Sequence, residues 1–219
     1  MGKILIVTAV ESEREAVLRG LAGDDRVDVI AGGVGAAAAA ASTASAIARA
    51  QLNGEPYELA ISAGIGGGFA GQAEIGWLVV ASSIIAADLG VETADGFQRV
   101  DELGFGSSVI AVDRQLASRA ADALAQAGLP AVSGPILTVT TATGTALTAE
   151  ELAVRVPGAA AEAMEGYGVA IAAQQLGVPV LELRAISNAV GPRDRAAWRI
   201  GDALEALASA SSIWKEIIT

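Results

Sequence analysis

Short runs of β-branched and aliphatic residues recur along the chain, each followed by a stretch of helical spacing, and this alternation limits the fold more than any other feature. Lys3 to Thr8 (KILIVT) is apolar without alternation, the pattern of a strand covered on both faces. From Ser12 the sequence SEREAVLRGL sets Ala16, Val17, Leu18 and Leu21 at helical spacing, with acidic residues in the first turn, where the helix dipole favours them. Val27 to Ala31 predicts a second strand, and Gly32-Gly33-Val34-Gly35 leads into the alanine run Ala36 to Ala41, which predicts a tightly packed helix. Further strands are predicted at Glu58 to Gly64, Trp77 to Ala87, Ser108 to Val112, Pro135 to Thr141, Ala159 to Met164 and Val180 to Ser187. Helices are predicted at Arg114 to Ala127, Thr148 to Arg155, Glu165 to Leu176 and Ala196 to Ile217. Such an order predicts an α/β fold, three-layer α/β/α with a central mixed sheet. The 219 residues show no composition break, fixed-period repeat or Pro/Gly linker, so one domain over 1–219 is expected.

Composition removes whole classes of chemistry. With no histidine and no cysteine, the chain has no Ser-His-Asp relay, imidazole acid-base group, His- or thiolate-bound zinc, or disulfide. Proton transfer has to use carboxylates, lysine, tyrosine or water. Acidic residues outnumber basic ones 25 to 14, and the net charge of -11 opposes nucleic acid and anionic membranes. The apolar run Ile4 to Val10 is cut off by Glu11 and is too short for a signal-peptide core. Val29 to Ala48 is uncharged and long enough to span a bilayer, but Gly, Ala, Ser and Thr dominate it. A cytoplasmic protein with no membrane or nucleic-acid partner is expected.

In open α/β sheets ligands bind at the carboxyl ends of strands, which singles out four segments. These are Glu11 to Glu13, the glycine-rich run Gly64 to Gly68, Met164-Glu165 and Ser187-Asn188. Backbone amides of the glycine run could hold an anion or let a flat ring approach, or the run could be a tight strand exit. A dinucleotide fingerprint is missing from the first turn, which reads Thr8-Ala9-Val10. Glu11 and Glu13 also suit the start of a solvated helix, Glu165 an ordinary helix start, and Asn188 a turn before Gly191-Pro192. Trp198 and Trp214 read as packing residues on C-terminal helices.

The segments ILIVTAVESE at 4–13, SAGIGGG at 62–68, AEAMEGYGVAIAA at 161–173 and ELRAISNAVGPRDRAAW at 182–198 stand in the order of a known family. Over nearly the whole chain they resemble the purine nucleosidase and phosphorylase family, in its hydrolytic branch related to methylthioadenosine/adenosylhomocysteine nucleosidase. The resemblance implies that Glu13 activates the attacking water, Glu165 grips ribose hydroxyls and Met164 lies against the sugar. It further implies that Gly64, Ile65, Gly66 and Ser187 complete the substrate-binding site, with no metal or organic cofactor and in a homo-oligomer. Adenine-specific members carry aspartate where Asn188 stands. An Asn amide offers a donor to the O6 of a 6-oxopurine and an acceptor to a protonated N7, which favours hypoxanthine as leaving base.

Other positions depart from the family pattern. Ile65 replaces a frequent serine, and Ala142 or Thr143 replaces a base-stacking aromatic, so stacking is expected from Phe69, Phe97, Phe105 or Tyr167. Phosphorylases place arginine near the N-terminal turns, whereas Glu11-Ser12-Glu13 stands there, so water is the expected nucleophile. Arg193 and Arg195 are candidates for an acidic group on the sugar side, or else a surface or intersubunit salt-bridge pair. The rival readings are a methylthioadenosine/adenosylhomocysteine nucleosidase, a noncatalytic nucleoside-binding protein and a generic Rossmann protein.

Overall fold

The structure, a computed structural model, describes residues 2–214. Strand β1 (Lys3–Thr8) leads into α1 (Glu11–Leu21), followed by β2 (Val27–Ala31), α2 (Ala36–Leu52), β3 (Tyr57–Gly68) and β4 (Leu78–Ala86). A hairpin, β5 (Gly90–Thr93) and β6 (Gly96–Arg99), precedes β7 (Val109–Ala111), α3 (Arg114–Gln126), β8 (Ala131–Thr138) and α4 (Ala146–Arg155). The last elements are β9 (Ala161–Ala163), α5 (Gly166–Gln175), β10 (Val180–Ala189), a 3-10 turn at Arg195–Ala197 and α6 (Ile200–Ser211). The expected α/β class and mixed central sheet are what the structure shows.

The main sheet runs β10-β4-β8-β9-β3-β1-β2, with β7 added beside β4. Because β10 also pairs with β3, the strands β3, β10, β4, β8 and β9 close on themselves. Pairings β1–β2, β1–β3, β3–β10, β4–β8 and β8–β9 are parallel, whereas β10–β4, β3–β9 and β4–β7 are antiparallel. Helices α1 and α6 pack on each other, as do α2 and α5, and α3 lies against β4 and β8. Leu5, Ile6, Ile61, Leu78, Ile136 and Leu183 are fully buried in the core, where aliphatic side chains do the work that the few aromatics cannot.

Two local expectations change, and one hairpin appears where no element was predicted. The glycine run does not leave the sheet: β3 continues through Gly68, with Asn188 and Ala189 of β10 opposite Gly67 and Gly68. None of Gly64, Gly66, Gly67 and Gly68 has a positive φ, so these glycines supply space rather than a turn. The β5–β6 hairpin replaces a stretch that offers no apolar periodicity. The C-terminal helix starts at Ile200 rather than Ala196, because the Asp194 carboxylate accepts the Ala196 N–H (3.0 Å) and caps a 3-10 turn that breaks before Trp198. The part of that predicted helix beyond residue 214 lies outside the described residues. Val29 to Ala48 is divided between β2 and α2, and among the described residues no helix is long and apolar enough to cross a membrane.

Candidate active site

Beyond β1 the chain turns through Ala9 and Val10 into α1, and Glu13 in its first turn reaches back over that turn. Its Oε2 accepts the N–H groups of Ala9 (2.9 Å) and Val10 (3.2 Å), and its Oε1 accepts the N–H of Ile65 (2.8 Å). The Val10 contact satisfies the N-cap N–H of α1, so helix initiation and site construction share one carboxylate. Glu13 is only 3% exposed, which removes the solvated-turn reading for it; Glu11 is exposed and pairs with Arg14. A Cβ at Gly64 would sit 2.6 Å from Glu13 Oε1 and 2.8 Å from Arg184 Nη1. Gly64 therefore makes room behind the site without bordering its cavity.

Glu165 stands at the N-cap position of α5, its side chain turned away from the helix amides, and is 6% exposed. Its Oε1 accepts the Gly35 N–H (3.1 Å), and its Oε2 accepts the Met164 N–H (3.3 Å) and Arg184 Nη1 (3.4 Å). Arg184 and Glu182 are two apart on β10, hence on one face, and Arg184 Nε donates to Glu182 Oε1 (2.9 Å) while Nη2 donates to Ser62 Oγ (2.8 Å). Burial pushes the Glu182 carboxyl up to about 7, against the pull of Arg184. Burial also works against the Arg184 charge, but Glu182, Glu165 and Glu13 outweigh it and hold that guanidinium above its ordinary value. The arginine is thus a fully buried cation held between carboxylates, a geometry that costs several kcal/mol when one partner is removed (roughly 3–5).

Where β3, β9 and β10 converge lies a cavity of about 240 Å³. Glu13, Ile65, Gly66, Met164, Glu165, Ser187 and Asn188 all border it, so the structure brings these expected residues together and leaves only Gly64 behind them. The Asn188 Oδ1 accepts from Ser187 Oγ (2.8 Å), and one Nδ2 hydrogen goes to the Ala189 carbonyl (3.0 Å), leaving the other for the cavity. Ala142, Thr143, Glu162, Arg193 and Trp198 complete the relevant wall; Arg195 does not border it. Among the described residues no cluster of acidic side chains is arranged to hold a metal.

The aromatic assignments are corrected. Phe69 is buried in a separate apolar cluster, Phe97 lies under the Arg155 guanidinium (3.8 Å), Phe105 is exposed and Tyr167 donates to the Ser107 carbonyl, so none borders the cavity. Trp198 does, outside any α-helix, with the Arg193 and Arg195 guanidinium carbons 5.0 and 5.8 Å from its ring centre. Trp214 is a core residue as expected, 1% exposed. Sequence reasoning also missed Glu162, Glu182 and Arg184. The available signal was a charge inside an otherwise apolar strand, AEA or LELRAIS, which burial makes too costly without a partner or a task.

A family model described as the phosphorylase superfamily matches residues 6–218. The futalosine hydrolase of Streptomyces coelicolor is 54% identical over 94% of this chain and 92% of its own length. That of Acidothermus cellulolyticus is 46% identical over 94% and 87%. Among solved structures, a 5'-methylthioadenosine/S-adenosylhomocysteine nucleosidase from Colwellia psychrerythraea in complex with adenine superposes with a TM-score of 0.79 at 26% identity, covering 96% of this chain and 91% of that one.

Proposed function

The chain belongs to the phosphorylase superfamily and is an N-glycosyl hydrolase, and from that premise we propose that it cleaves the N-glycosidic bond of futalosine and releases hypoxanthine, as a step of menaquinone biosynthesis. The observation that carries this reading is Glu13: a carboxylate held by three backbone N–H groups at the edge of the cavity, close to Glu165 and Met164. Water attacks the anomeric carbon as the bond to the purine nitrogen breaks, and Glu13 takes the water proton. Its charge also favours the oxocarbenium-like sugar, as in glycoside cleavage. Glu165 binds ribose hydroxyls and Met164 packs on the sugar, which fixes the anomeric carbon over the water. The departing base takes up a proton at N7 from solvent water as the bond breaks; Asn188 accepts that N7–H with its amide oxygen and directs its free N–H to O6.

Trp198 is then the ring available for stacking, and Arg193 the cation available for the acidic acyl substituent of futalosine. The protein works as a single domain and a homo-oligomer in the cytoplasm on a small-molecule nucleoside, with no metal or organic cofactor. The test is incubation of pure protein with futalosine, inosine and methylthioadenosine, with and without phosphate, followed by chromatography of free base and sugar. Phosphate-independent hypoxanthine release from futalosine is expected. Adenine release alone would move the activity to methylthioadenosine, a phosphate requirement would make it a phosphorylase, and no release would leave a nucleoside-binding protein.

A further inference from the structure

Glu162 is the central residue of β9 and pairs opposite Gly67 of β3. From the other side of β3, Asn188 of β10 pairs opposite the same Gly67. Residues opposite one another on neighbouring strands project to one face, so Glu162 and Asn188 flank Gly67 on a shared face, and both border the cavity. Gly67 keeps the space between them open: a Cβ there would meet Val190 Cγ2 at 2.8 Å and Asn188 Nδ2 at 3.3 Å. The sheet thus presents a carboxylate and a carboxamide across a slot floored by glycine.

The hydrogen bonds of Glu162 leave it incomplete. Oε1 accepts the Thr143 N–H (2.8 Å) and Oε2 accepts the Thr143 hydroxyl. Each oxygen retains acceptor capacity, and among the described residues no cation pairs with this carboxylate although it is 7% exposed. A carboxylate so buried, beside a cavity and without a counter-charge, is completed by a donor that the ligand brings.

We propose that Glu162 is a specificity-determining residue that receives the N1–H of a 6-oxopurine base, and that it rejects 6-aminopurines. The inference rests on the nucleosidase reading above and deepens it. A 6-oxopurine carries a hydrogen on N1 next to O6, so a donor at Asn188 and an acceptor at Glu162 match adjacent positions on one edge of the ring. A 6-aminopurine has a lone pair at N1, which would face the carboxylate. The nearby backbone donor that could serve that lone pair, the Thr143 N–H, is already taken by Glu162. A base of the wrong type therefore leaves one buried group unpaired and sets another against a like dipole, and such mismatches discriminate by orders of magnitude.

The test compares hypoxanthine release from inosine and futalosine with adenine release from adenosine and methylthioadenosine, by wild type and Glu162→Gln. Glutamine keeps the size and one acceptor but adds a donor, so the kcat/KM ratio of 6-oxo to 6-amino substrates should fall by roughly 100-fold or more. Product inhibition of the wild type supplies a second measurement that needs no variant: hypoxanthine should inhibit, and 1-methylhypoxanthine, which lacks the N1–H, should not. Equal losses on both substrate classes would mark Glu162 as a structural clamp on Thr143, and equal inhibition by both bases would likewise overturn the proposal. Should wild type release neither base from any substrate, the nucleosidase reading itself fails; the inference about Glu162 fails alone when wild type releases adenine but no hypoxanthine, or when release is normal but selectivity does not move.

Discussion

Both oxygens of Glu13 are fixed by main-chain donors from separate segments, Ala9 and Val10 on one side and Ile65 on the other, so its position does not depend on a mobile partner. Gly64 adds to that fixity by leaving no atom where Oε1 sits. Glu13→Gln keeps the shape but turns an amide NH2 toward one of those N–H groups and removes the proposed proton acceptor. Turnover should fall by about 10²–10⁴-fold, the usual share of general base catalysis, while circular dichroism stays unchanged. Near-normal kcat in a steady-state assay would mean that another group activates the water. At this scale Glu13 and Glu165 were legible because both follow a strand end, and Asn188 because it closes one. Glu162 was hidden because its strand contributes only Ala161, Glu162 and Ala163, too short a stretch for alternation to reveal which face is wet. Trp198 was hidden for a different reason: a 3-10 turn, which has no strong sequence periodicity, decides where its ring goes.

Element packing carries the same precision to Glu165, the residue proposed to bind the sugar. A side chain at Gly168 would overlap the Ala36 carbonyl, so α5 meets the start of α2 through bare backbone. Gly35, just before α2, donates to Glu165, just before α5, and the spacing of the two helices therefore sets the position of that carboxylate. Gly168→Ala should force the helices apart and cost about 1–3 kcal/mol, as overpacking does. For a chain of this size that lowers the melting temperature by roughly 2–4 °C per kcal/mol. KM should rise with it, because Glu165 leaves its donor; calorimetry and initial rates measure the two effects, and wild-type values for both would refute the coupling. Most elements were legible from β-branched runs and alanine-rich helical stretches. The glycine run was not, since glycine weakens any strand expectation and only pairing with β9 and β10 makes Gly67 and Gly68 extended.

On the scale of the molecule, the closed ring of strands brings together polar groups that are remote in sequence: the Arg184 cation from β10, the Glu165 carboxylate from the start of α5, and the Ser62 hydroxyl from β3, with Glu182 behind them. The sequence showed a net charge of -11 but not that part of the excess is internal. Only closure of the sheet decides that. Glu182 has one oxygen on Arg184 and the other without a hydrogen-bond partner, and burial raises its pKa to about 7. An ordinary glutamate titrates near ~4.3, so the folded protein binds this proton more tightly than the unfolded chain does. The stabilisation it gives is complete below about pH 4 and is lost as pH rises through about 7, because unfolding then lets the carboxyl ionise in water. Glu182→Gln keeps an acceptor for Arg184 Nε and removes that titration. Between pH 5 and pH 8 the melting temperature of the wild type should therefore fall further than that of the variant. Glu162, which burial also raises, is present in both proteins and cancels in the difference. Parallel melting curves across that interval would mean that Glu182 remains ionised against Arg184 throughout, and that the pair acts on stability through geometry alone.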